Sequence, residues 1–100
     1  MSRIITFSDQ KPSGTFAQIK LDDGNRILVS FTKTEMAIFQ LRFLGLVPGK
    51  KIYSRNISDI IALFAIKPEN KDKTLLQAVV DFLLPCTSTQ EVLRKLRNDI

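Results

Sequence analysis

Apolar and polar positions alternate most cleanly in two stretches, Thr15 to Leu21 and Arg26 to Thr32, with Asp22-Asp23-Gly24-Asn25 between them. A period of two is the mark of a half-buried strand, and an Asp-Gly pair between two such runs marks a hairpin. A three-residue loop over Asp23-Gly24-Asn25 sets Leu21 opposite Ile27, Ile19 opposite Val29 and Ala17 opposite Phe31 on one face. The other face then holds Asp22 with Arg26, Lys20 with Leu28 and Gln18 with Ser30. A slip of one residue inverts a strand's faces, so burial selects this sorted register, with Asn25 as the left-handed residue that ends the loop.

The rest of the chain reads in the same terms. Residues 3–7 are short and β-branched and predict a first strand, followed by loop chemistry from Ser8 to Gly14. Thr32-Lys33-Thr34-Glu35 has the spacing of a capping box, so a helix over 33–44 is expected, ending at Gly45 with Leu46 packed behind it. Val47-Pro48-Gly49-Lys50 fits a type II turn, and 50–55 a further strand. Residues 57–66 fit either a short helix or a buried strand, with helix favoured, and Pro68 closes either. Asp72 is placed to cap a helix over 73–84 that Pro85 stops. Ser88 with Glu91 opens a last helix over 89–98, with Val92, Leu93, Leu96 and Ile100 as its apolar stripe. Strands first and helices after predict an α+β domain: a small antiparallel sheet of strands 3–7, 15–21, 26–32 and 50–55, with helix 33–44 inserted.

Size and composition bound the function. One hundred residues form one domain, spanning 1–100, and the 44% apolar and 25% charged content is that of a globular chain. No apolar run is long enough to cross a membrane, and one cysteine, Cys86, suits the reducing cytoplasm. There is no histidine, which removes the commonest general acid–base group and a common zinc ligand. No metal or cofactor is expected. Asp22 and Asp23 are explained by their turn, Tyr53 by a half-buried strand position, and Cys86 by a small buried place between helices. The run from Gly45 to Lys51 resembles a phosphate loop only faintly: three residues separate its glycines where four are needed, and Lys51 stands where the hydroxyl should be.

Two binding functions remain. Helix 33–44 is apolar around most of its circumference, and a 100-residue domain has few elements to bury it on every side. Met36, Ile38, Phe39 and Phe43 are therefore the expected protein interface, and the chain reads as a non-enzymatic interaction or adaptor domain that meets a second copy or another protein. The alternative rests on charge. The formal net charge is +5, and Lys50, Lys51 and Arg55, with Arg94, Lys95 and Arg97, are the groups that would bind nucleic acid. The polar face of the hairpin, with Phe16, Gln18, Lys20, Arg26 and Ser30, has the ingredients of an RNA-binding sheet, but such sheets use two or three aromatics and only Phe16 can be placed there.

Overall fold

A computed structural model describes residues 2–10, 14–42 and 47–98. Five strands, β1 (Arg3–Gln10), β2 (Gly14–Lys20), β3 (Arg26–Phe31), β4 (Glu35–Arg42) and β5 (Val47–Asn56), form one antiparallel sheet in sequence order. A helical turn α1 (Ile57–Ile60) runs on into a π-helical turn over Ile61–Ala65. A 3₁₀ turn (Pro68–Asn70) leads to helices α2 (Leu75–Leu83) and α3 (Thr89–Asn98). The fold class is therefore the expected α+β, and the ambiguous 57–66 stretch is helical.

The β2–β3 hairpin has the predicted faces but not the predicted register. Ile19 pairs with Ile27 and Ala17 with Val29, two residues away from the expected alignment. The loop is again three residues long, but it is Asp22-Asp23-Gly24, closed by the Leu21 amide donating to the Asn25 carbonyl at 2.8 Å. Its left-handed residue is Gly24, at φ +90°. Glycine takes that conformation without the Cβ penalty that Asn25 would carry, and so fixes the register. Asp23 then holds the residue two positions on: its carboxylate accepts from the Asn25 amide and from Asn25 Nδ2, both at 3.0 Å.

The expected helix 33–44 is replaced by strand β4, Glu35–Arg42. Thr32 does accept from the Glu35 amide, at 3.1 Å, as a capping residue would. It also accepts from the Thr34 amide at 3.2 Å, while its own amide donates to the Glu35 carbonyl at 2.9 Å. Those bonds close a tight hairpin about Lys33-Thr34, with Phe31 opposite Met36. The side-chain chemistry that starts a helix here turns a chain between strands. Apolar residues all round become two faces of a strand: Met36 and Ile38 enter the core, while Ala37 and Phe39 fall on the opposite side of the sheet.

Three smaller expectations change as well. Ser8, Asp9 and Gln10 continue β1 instead of beginning a loop. Pro48 and Gly49 belong to β5 instead of a type II turn; β5 is an edge strand, where the missing proline N–H is tolerated. Helix α2 is capped by Thr74, whose hydroxyl accepts from the Gln77 amide at 3.2 Å, and not by Asp72. The Ser88 cap holds, with its hydroxyl accepting from the Glu91 amide at 3.2 Å. Phe43, Gly45, Leu46 and Ile100 lie outside the described residues.

All helices pack on one face of the sheet. Ala17, Ile19, Ile27, Val29, Met36 and Ile38 project from the strands into a core completed by Phe64, Leu76, Val79, Leu83, Val92 and Leu96. Cys86 is buried between α2 and α3, as expected, and its carbonyl accepts a hydrogen bond from Ser2 Oγ. Phe64 and Phe82 meet edge-to-face with centroids 5.3 Å apart.

Candidate functional site

Strand alternation that fills the core necessarily presents a second face. On β2 it carries Phe16, Gln18 and Lys20, on β3 Arg26, Leu28 and Ser30, and on β4 Ala37 and Phe39, none of them part of the core cluster. The helices bury their apolar residues on the opposite side. This is the open face.

The strand register arranges the open face in rows. Arg3 pairs with Lys20, and Lys20 with Arg26, so three cations stand side by side across β1, β2 and β3. The next row runs Thr6, Gln18, Leu28, Phe39 and Lys51 from edge to edge. The row after it runs Ser8, Phe16, Ser30, Ala37 and Ser54. Phe16, Leu28 and Phe39 therefore form a diagonal apolar band, flanked on one side by the cation row. Like charges directly opposite one another weaken a sheet, by roughly 0.2–1 kcal/mol a pair.

At the far end of the band, Lys51 Nζ lies 5.8 Å from the centre of the Phe39 ring and 3.3 Å from Glu35 Oε1. Glu35, at this end of the face, is thus engaged by a cation. Phe16 and Phe39 are both half-buried.

The site residues expected from sequence are dispersed. Met36 and Ile38 are fully buried in the core, Phe39 is on the open face, and Phe43 lies outside the described residues. Of the basic residues, Lys51 is on the open face, whereas Arg55 pairs with Met36 on the core side. There it meets Asp59 at 3.6 Å and hydrogen-bonds with Tyr53, chiefly through which its guanidinium holds its proton more firmly than usual. Lys50 is exposed on β5. Arg94, Lys95 and Arg97 belong to α3 on the helical layer. Lys95 is committed there: its Nζ donates to the Phe82 carbonyl at 2.8 Å and sits 4.4 Å from the Phe82 ring centre. The structure does not join these six cations into one surface. Sequence reasoning missed Arg3 as the neighbour of Lys20, and Phe39 as the second aromatic beside Phe16. Both follow only once β1 pairs with β2 and 35–42 is a strand.

Other features are accounted for structurally. A cleft of about 300 Å³ lies beside the start of α2, lined by Ile61, Phe64, Asn70 and Lys73 among others. Two of its polar side chains are in use: Asn70 Nδ2 donates to the Phe64 carbonyl at 2.9 Å, and Lys73 pairs with Asp81 at 2.8 Å. Among the described residues, no group of three or more acidic, histidine or cysteine side chains could hold a metal ion. No described helix is long and apolar enough to cross a membrane. No family model matches the chain, and neither a curated protein nor a solved structure does.

Proposed function

We propose that this chain is a non-enzymatic nucleic-acid-binding domain of the cytoplasm that takes its ligand on the open face of the sheet. One observation carries the reading: Arg3, Lys20 and Arg26 form a cross-strand row of cations beside the aromatic band. Phosphate is the anion such a row suits, because a polyanion neutralises several adjacent cations at once and releases its own counterions. The net charge of +5 supports the same class of partner, and the absence of histidine supports binding without chemistry. A labelled oligonucleotide should bind with an affinity that falls steeply between about 50 and 200 mM salt. Charge reversal at Arg3 and Lys20 should lower both the affinity and its salt slope, while reversal at Arg94 and Arg97 should leave both unchanged. Binding insensitive to Arg3 and Lys20 would remove the open face as the site.

A second reading, self-association, is favoured by a different feature. β1 is an edge strand with Ile4, Ile5 and Phe7 each 38–40% exposed. An edge of unpaired backbone groups with apolar side chains is a template for another strand, most simply β1 of a second copy. Light scattering should then report a dimer that Ile5→Lys converts to monomer. A wild-type protein that stays monomeric at high concentration ends this reading.

A further inference from the structure

We infer that the ligand of the open face is single-stranded, lying across the strands with two non-adjacent bases stacked on Phe16 and Phe39; this rests on the nucleic-acid reading above. Three observations lead to it.

The first is the shape of the surface. A protein that reads duplex DNA in the major groove does so with a helix or a β-ribbon. Here the helices are on the other side of the sheet, with their apolar residues in the core, and the open face is a plane of alternating side chains. A plane meets unpaired bases far better than it meets a groove.

The second is the chemistry of the band. Phe16, Leu28 and Phe39 offer π-faces and apolar surface but no hydrogen-bonding groups. Bases inside a duplex are stacked on each other and have no free face, whereas a single strand can splay its bases onto aromatic side chains. Gln18 and Ser30 lie in the same two rows and supply donors and acceptors for base edges.

The third is spacing. Phe16 is on β2 and Phe39 on β4, one row apart. With strands ~4.8 Å apart and residues ~3.4 Å apart along a strand, the two Cα positions are separated by roughly 12 Å. That is too far for one base to touch both rings or for two bases stacked on one another to use one ring each. The bases on Phe16 and Phe39 are therefore separated by at least one nucleotide, over Leu28. The row of Arg3, Lys20 and Arg26 lies about 7 Å along the strands from the Gln18–Leu28–Phe39 row, within reach of the phosphates of a strand so placed. Phosphate contacts at Arg3 and Lys20 predict a salt slope of about −1.4 for a single strand.

The test is fluorescence anisotropy with labelled oligodeoxyuridine, oligouridine and a duplex of equal length. Wild-type protein is compared with Phe16→Leu, Phe39→Leu and Lys20→Glu. Leucine keeps the apolar bulk and hence the fold, which thermal melting verifies, but removes the π-face. The single strands should bind at least tenfold more tightly than the duplex. Each leucine variant should lose roughly 5- to 100-fold in affinity with the salt slope unchanged, and Lys20→Glu should lower the slope. Oligouridine against oligodeoxyuridine, which differ only in the 2′-hydroxyl, decides between RNA and DNA. If single strands bind and Lys20→Glu weakens them while the leucine variants match wild type, the stacking inference is overturned and the nucleic-acid reading stands. A duplex that binds as tightly as the single strands also overturns it. If no nucleic acid binds at about 50 mM salt, the reading itself fails, and the open face is left to a protein partner.

Discussion

Gly24 shows how much one residue can decide. Its φ of +90° places it where L side chains are strained, while a Cβ built there meets nothing within 4 Å. A substitution therefore costs backbone strain alone. Gly24→Ala should lower stability by about 1–2 kcal/mol in urea denaturation, and Gly24→Asn by less, because asparagine visits this region more readily. Lys20 makes the opposite case. Standing between Arg3 and Arg26, it should be stabilised by charge reversal: Lys20→Glu is expected to raise stability by roughly 0.2–1 kcal/mol while weakening binding, a combination that a purely structural lysine would not give. The neighbours Ile38 and Phe39 separate the two faces in the same way. Ile38→Ala should cost about 2–5 kcal/mol because the side chain is wholly enclosed in the core. Phe39→Leu, on the open face, should cost less than about 1.5 kcal/mol. Thermal melts of the two variants give the contrast.

At the scale of elements, legibility depended on whether local chemistry had one structural meaning. The Ser88 cap and helix 89–98 could be read correctly because the amphipathic period behind the cap agreed with it, with Val92 and Leu96 buried in α3. Thr32 and Glu35 had the same spacing, but the residues that follow have a helix-forming composition and apolar side chains on all sides. Propensity favoured a helix; pairing with β3 and β5 overrode it, and nothing local to 35–42 records those partners. The hairpin shows an intermediate case. Its faces could be read from alternation, but two even registers sort the faces alike, and the choice lay in a glycine's φ. Helix α3 also carries a pH dependence. The Thr87 hydroxyl and amide donate to the Glu91 carboxylate at 2.6 and 3.2 Å, and these bonds hold its pKa below the ordinary 4.5. A carboxylate favoured in the folded state contributes in full above about pH 4.5, and the contribution is lost as pH falls through the lowered folded value. Glu91→Gln should thus flatten the acid limb of the melting temperature against pH.

For the whole molecule, the order of elements was enough to predict the class, since strands followed by helices pack as a sheet with a helical layer. It was not enough to predict the site. The open face exists because every helix lies on one side, and the cation row exists because β1 pairs beside β2; neither is a property of any single segment. Likewise, the two basic groups read in the sequence stay on two separate elements, β5 and α3.

The same arrangement governs how the chain comes into being. Each strand pairs with the one made just before it, so the sheet needs only contacts between sequence neighbours, and such contacts form quickly. Its cover is made last, because every helix lies after Asn56. On a ribosome, the meander can be complete while Ile19, Ile27, Val29 and Ile38 still face water, and it stays so until α2 and α3 emerge. For that interval the newborn protein is a bare apolar sheet with an open β1 edge, the form most exposed to mispairing with its neighbours.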